Sequence, residues 1–322
     1  MISADRLTMW YGSTQALDAA TFEVRSGEVL GLLGPNGAGK STTLKILTTY
    51  LYPTSGRVVV DGIDTQDDPL AVRRRIGYLP ESAPLYIDMM VCEYLEFVGR
   101  ARGLSGRKLS ERRDSVVASC GLESVYTKPI QNLSKGFRQR TGLAQALIHD
   151  PDILILDEPT SGLDPLQILG IRELVRSLAR KKTILFSTHI LQEVEAVSDR
   201  VMIINEGRII AEGTPEELQR RAMEVDCLTV EVTGSADDVR RTLAAVPGIL
   251  SVDSIDSSAP DACAFAVRHD FGDEQAARRV DEALRKGSFG LRRFAHDRYS
   301  LEQVFISLTR AKTAASRAGG AS

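Results

Sequence analysis

Residues 34–42 read GPNGAGKST and fit the phosphate-loop pattern G-x-x-x-x-G-K-[ST], with Gly34, Gly39, Lys40 and Ser41 at its fixed places. The pattern has chemical meaning only between a strand and a helix. Both flanks comply: residues 28–33 are a short apolar run that reads as a buried strand, and residues 42–51 put Leu44, Leu47 and Leu51 on one side of a helix. Glycines let the backbone wrap a polyphosphate with its N–H groups turned inward. Gly34, Pro35, Asn36, Gly37, Ala38, Gly39, Lys40, Ser41 and Thr42 therefore form one candidate cradle for a nucleoside triphosphate. The helix N-terminus adds partial positive charge. Lys40 is expected to reach the β- and γ-phosphates, and the Ser41 hydroxyl to ligate Mg²⁺.

A second constellation lies further along. Residues 153–156 read as a buried strand that runs straight into Asp157 and Glu158. Buried carboxylates need a partner, and a Mg²⁺–nucleotide at the strand's end supplies one. Asp157 would hold the metal through water, and Glu158 would face the attacking water. Residues 161–165 turn into a helix ending near Lys181 and Lys182, and residues 183–186 form the next strand. His189 stands just past that strand, where open α/β sheets bind ligands, and reads as a γ-phosphate contact.

The intervening elements are plainer. Residues 2–9 and 17–24 alternate as strands around a turn at Tyr11 and Gly12. Tyr11 either stacks on an adenine ring or packs on its own hairpin. Residues 57–60 and 76–79 read as strands, with a short helix from 67 to 75 between them and an exposed loop at Pro84 and Tyr86. Residues 88–128 read as wholly helical apart from a break at 103–106. Ser134 is a plausible N-cap for the helix that follows. Residues 200–204 and 208–211 form a hairpin, and Thr214 and Pro215 open a helix that closes the first domain near residue 223.

Composition bounds the rest. A chain of 322 residues suggests two domains, and 43% apolar content supplies a core. A net charge of −3 gives no basic footprint, so no nucleic-acid partner is expected. The longest apolar runs, such as 153–156, fall far short of a membrane span, and the N-terminus has no signal-peptide shape. Cys92, Cys120, Cys227 and Cys263 are scattered without a C-x-x-C pair, which fits reduced, buried thiols in a cytosolic protein. His149, His189, His269 and His296 show no metal-ligand spacing.

Across residues 2–222 these motifs, in this order and spacing, resemble the ATP-binding subunit of an ABC transporter. The resemblance implies an α/β fold: a P-loop ABC ATPase domain with an α-helical subdomain and an antiparallel β subdomain, over residues 1–223. It puts Tyr11 at the adenine and Glu81 at a position usually filled by a glutamine that binds the metal. It makes residues 133–139, LSKGFRQ, the counterpart of the signature LSGGQ, with Ser134, Gly136 and Gln139 meeting a nucleotide held by the opposite subunit. Asp157 becomes the metal aspartate, Glu158 the catalytic carboxylate, residues 161–164 ending in Asp164 the loop that crosses to the partner, and His189 the switch histidine. Glu81 for glutamine, and Lys135 and Phe137 within the signature, depart from the common pattern. Both departures look like the branch serving ABC-2-type exporters. The implied cofactors are ATP and Mg²⁺. The implied partners are a second copy of the chain and a separate ABC-2-type transmembrane permease, at the cytoplasmic face of the membrane. Soluble relatives that act on ribosomes or DNA carry tandem cassettes or long coiled coils; this chain has one phosphate loop and too short a gap from Lys40 to Asp157.

Residues 226–310 change rhythm. Strands at 228–232, 249–255, 263–267 and 289–294 alternate with helices at 236–245 and 273–286, a β-α-β-β-α-β order expected of a ferredoxin-like α+β domain. A closing helix begins at residues 300–305, and residues 311–322 are small, polar and expected to be disordered. This domain reads as a dimerisation or regulatory module, or as a packing appendage.

Overall fold

A computed structural model describes residues 1–222, 225–257, 262–270, 275–287 and 289–297. The chain divides into two compact units, Met1–Pro215 and Glu216–Ser322. In chain order the first unit holds β1 (Ile2–Tyr11), β2 (Thr14–Val24), β3 (Val29–Leu33), α1 (Lys40–Leu47), β4 (Ser55–Val60), β5 (Ile63–Asp64), α2 (Pro69–Arg75) and β6 (Ile76–Leu79). The helices α3 (Val91–Ala101), α4 (Gly106–Cys120) and α5 (Lys135–Leu147) follow. Then come β7 (Ile153–Asp157), α6 (Pro165–Ala179), β8 (Thr183–Thr188), α7 (Leu191–Val197), β9 (Arg200–Asn205), β10 (Arg208–Gly213) and the start of α8 (Pro215–Ala222).

Two sheets enclose the core of this unit. One is antiparallel, in the order β2-β1-β4-β5. The other runs β10-β9-β3-β8-β7-β6, parallel except for β10. Strands β3, β7 and β8 are buried along their whole length, as strands covered on both faces must be. Ile2, Leu7 and Val60 of the first sheet, Leu32 and Ile155 of the second and Leu44 and Ile46 of α1 share one cluster. The phosphate-loop helix is thus sandwiched between the two sheets.

That burial corrects two readings. α1 begins at Lys40 and stops at Leu47, short of residue 51. The Thr48 hydroxyl donates to the Leu44 carbonyl at 2.8 Å, Thr49 turns to φ 60°, and the Tyr50 and Leu51 N–H groups both close on the Lys45 carbonyl. The helix therefore ends on its own side chain rather than at Pro53. Likewise, residues 88–128 are not wholly helical. Gly121 at φ 63° stops α4, and only a 3₁₀ turn at Glu123–Val125 follows.

The cysteine expectation holds only in part. Cys120 is buried, and burial pushes its thiol up to about 12. Cys92 and Cys263 are half-buried, because each sits on an element with one face open. Among the described residues, no helix is long and apolar enough to cross a membrane.

The second unit contains β11 (Val225–Thr233), α9 (Ala236–Ala244), β12 (Ile249–Ile255), β13 (Cys263–Asp270), α10 (Ala276–Lys286) and β14 (Gly290–Asp297). Its sheet is antiparallel in the order β12-β13-β11-β14. Leu228, Val230 and Val232 alternate inward from β11 and meet Val239 and Leu243 of α9 and Val280 and Leu284 of α10. The closing helix at 300–305 and the tail at 311–322 lie outside the described residues.

His149 follows α5 and donates through Nε2 to the Ile76 carbonyl at 3.1 Å. Burial, reinforced by Arg102, pushes its pKa down to about 4. The folded ring stays neutral while the unfolded chain protonates below its ordinary value of 6.5. The stability tied to His149 is therefore present at neutral pH and is lost as pH falls from about 6.5 toward 4. Against His149→Gln, the wild type should lose on the order of 1 to 3 kcal/mol more between about pH 7.5 and about pH 4.5, read from urea midpoints at the two values.

Candidate active site

β3 delivers the chain into the glycine loop, and α1 leaves it. Gly39 caps α1 at φ 106°, a backbone that L side chains avoid, and a Cβ there would fall 2.6 Å from the Ala16 carbonyl oxygen. Ala38 is buried and pins the loop: its N–H donates to the Pro35 carbonyl at 3.2 Å, and its carbonyl accepts from Gly207 at 3.0 Å. Lys40 Nζ folds back onto the loop, donating to the Gly34 and Pro35 carbonyls at 2.8 and 3.2 Å.

β7 brings up the carboxylates. Asp157 is 2% exposed and Glu158 6%. Asp157 Oδ1 accepts from Ser41 Oγ at 3.1 Å and from Ser187 Oγ at 2.6 Å. Glu158 sits at φ 47°, a region costing a non-glycine residue of order 1 to 3 kcal/mol. Its N–H is held by the Ser187 hydroxyl at 3.0 Å and the Ser187 carbonyl at 3.2 Å. One Glu158 oxygen pairs with Lys40 Nζ at 3.2 Å, and the other accepts from His189 Nδ1 at 2.8 Å. The strained turn aims the carboxylate off the strand and between the loop lysine and the histidine.

These groups border one cleft of about 530 Å³. Asn36, Gly37, Gly39, Lys40, Ser41, Thr42, Glu81, Glu158 and His189 all line it, together with Ala16 and Ser161. Gly34, Pro35 and Ala38 stand in the loop behind. Asp157 reaches the cleft through Ser41. The Ser41 hydroxyl with the Asp157 carboxylate it bonds, and Glu81 elsewhere on the cleft lining, are hard oxygen donors of the kind Mg²⁺ takes alongside water and phosphate. Tyr11 ends β1 at 46% exposure and is not part of the lining.

Ser134, Gly136, Gln139 and Asp164 do not line this cleft. Ser134 caps α5, accepting the Phe137 N–H at 3.4 Å, and Asp164 caps α6, accepting the Gln167 N–H at 2.9 Å. The two helix starts touch. A Cβ on Gly136 would lie 2.6 Å from the Gln167 side chain, and one on Gly162 would collide with the Lys135 ammonium. Gln139 is buried behind them.

With this geometry in hand, the chain can be set beside known proteins. The ABC transporter family model matches residues 17–161. The probable multidrug ABC transporter ATP-binding protein YbhF of Escherichia coli (strain K12) is 40% identical over 223 residues, 69% of this chain and 38% of that protein. The daunorubicin/doxorubicin resistance ATP-binding protein DrrA of Streptomyces peucetius is 34% identical over 311 residues, 96% of this chain and 92% of that one. The chain belongs to the ATP-binding subunits of ABC transporters. A solved dimeric post-hydrolysis ATP-binding cassette, MJ0796 bound to ADP and Pi, is similar at TM-score 0.61 and 27% identity, over 66% of this chain and 98% of that one.

Some residues of this ABC ATP-binding subunit gave little sign of themselves in the sequence. Ala16 lines the cleft from a strand with no motif. Ser187 was visible only as the residue two before His189, yet it holds both Asp157 and Glu158. Ser187→Ala should leave a buried carboxylate and a buried N–H each short of a partner, costing about 1 to 3 kcal/mol. Thermal unfolding should show the loss; an unchanged midpoint would mean that water replaces the hydroxyl.

Proposed function

We propose that this chain binds ATP with Mg²⁺, hydrolyses it, and powers export through a separate ABC-2-type permease, working as a homodimer at the cytoplasmic face of the membrane. The observation that carries this reading is Glu158, held between Lys40 and His189 at the mouth of a glycine-loop cleft. The likeness to a drug-resistance ATP-binding protein along almost the whole chain supports the export side.

The loop 34–42 cradles the phosphates through its N–H groups and the α1 N-terminus. Ser41 and Asp157, with Glu81 on the same cleft, would hold the metal, which would supply charge neutralisation to the phosphates. Glu158 orients and deprotonates the attacking water as general base. Its hydrogen bond to His189 fixes the ring, leaving Nε2 for the γ-phosphate. Lys40 exchanges its Glu158 contact for phosphate oxygens. Tyr11 presents a half-exposed ring suited to stacking on adenine. Ser134, Gly136 and Gln139 of one copy, with Asp164, complete the site of the other copy.

The loop after Glu81 would meet the permease. Tyr86 there is 57% exposed and packs edge-on against Tyr94 and Phe97, and Phe97 is itself 45% exposed. An aromatic group left open on a helical insertion suits a protein partner. We place the ATPase domain at 1–223 and a ferredoxin-like dimerisation or regulatory domain at 226–310; the β12-β13-β11-β14 sheet order supports the second assignment.

Glu158→Gln should retain ATP binding and lose hydrolysis by about a hundredfold or more. Phosphate release and a fluorescent-nucleotide titration on the same sample separate the two effects. Turnover at the wild-type rate in that variant would remove Glu158 from the role.

A further inference from the structure

The loop carrying Glu158 and the loop carrying His189 are joined by a carboxylate that the reaction above does not use. Glu193, in the first turn of α7, is 2% exposed. Its Oε1 accepts from Thr160 Oγ1 at 2.5 Å, and its Oε2 accepts from Thr188 Oγ1 at 2.6 Å. Both threonines are buried, at 5% and 0% exposure. The Thr188 oxygen accepts the Ile190 N–H at 3.0 Å, so this one hydroxyl spans the turn on which His189 stands. Thr160 lies two residues after Glu158 and immediately before the loop 161–164.

The residue type at 193 is dictated by this arrangement. Thr188 accepts from Ile190 and donates its own proton to Glu193. Thr160 likewise presents a proton. Two donors converging on one side chain suit a forked acceptor, and a carboxylate supplies one oxygen for each. Glutamine offers one oxygen and one NH₂, so one of the two hydroxyls would have to reverse from donor to acceptor and the symmetric fork would be lost. Burying a carboxylate is costly, and well-packed apolar residues often serve stability as well. A carboxyl group kept in the core at that cost points to the geometry it fixes.

We propose that Glu193 is a positioning residue: it braces the Thr160 loop to the Thr188 loop and so sets the 2.8 Å hydrogen bond between Glu158 and His189. The brace also ties residues 161–164 to the histidine, so a displacement of that loop reaches the catalytic pair through Thr160, Glu193 and Thr188. The inference rests on the ATPase reading above. Glu193 touches no reacting atom. Its loss therefore acts on turnover and not on nucleotide affinity, because misplaced catalytic groups lose rate steeply with distance.

The test uses the full chain. Glu193→Gln should lower kcat about tenfold or more while the dissociation constant for a fluorescent ATP analogue stays within about twofold. Thr188→Ser, which keeps the hydroxyl, should retain turnover, and Thr188→Val should lose it to the same degree as Glu193→Gln. Nitrogen-15 shifts of the His189 ring, assigned with His189→Gln, report which nitrogen carries the proton. They should show a fixed Nδ1–H in the wild type and tautomer averaging in Glu193→Gln. Wild-type kcat in Glu193→Gln, or equal rates in Thr188→Ser and Thr188→Val, would overturn the brace. If Glu193→Gln does not fold, the threonine pair alone decides. If the wild-type chain releases no phosphate, the ATPase reading fails, and the ring shifts in folded Thr188→Val against Thr188→Ser still judge the brace.

Discussion

Two carboxylates buried at the end of one strand set the terms for everything around them. Asp157 and Glu158 leave β7 almost without solvent contact, and a charge so placed must be answered by donors or cations. Lys40, Ser41, Ser187 and His189 answer it, from two segments far apart in the chain. An ion pair such as Lys40–Glu158 adds little net stability once desolvation is counted. What holds these groups in place is the packing behind them: β3, β7 and β8 share one parallel ladder, and α1 lies between two sheets. The fold fixes the directions from which charge arrives, and the site is where those directions cross.

Much of this was legible in the sequence because it is local. The glycine loop is contiguous, and the run into Asp157 and Glu158 is a continuous apolar strand, so both declare themselves within ten residues. Most strands were found but several were read short, as β8 was at 183–186 against Thr183–Thr188, and the two-residue β5 was not read. The outer hairpin was shortened in the reading at residues 10–11 and 14–16: β1 slips register between Leu7 and Met9 and again between Met9 and Trp10, and the alternation that marks a strand breaks there. Helix ends were the least legible. α1 stops on a threonine hydroxyl and a left-handed threonine, neither of which has a pattern of its own.

What stayed hidden was long-range. Glu193 looks in sequence like one more acid on a short surface helix. Its partners lie 33 and 5 residues away and become neighbours only when β7 and β8 pair. Ser187 is likewise 30 residues from the carboxylate it holds. In the second unit the opposite applies. Alternation in β11 and spacing in α10 were enough to assign inward faces, because each element there packs one face on a single core.

The glycines at 136 and 162 deserve a last consequence. Lys135 stands where the signature pattern has glycine, and its ammonium lies against Gly162, while the Gln167 side chain occupies the room over Gly136. Gly162 itself turns at φ 65°, a backbone that side chains avoid, and leaves open the space that the lysine tip fills. A side chain at 162 would displace the lysine tip, so the loop 161–164 and the start of α5 are coupled through this one contact.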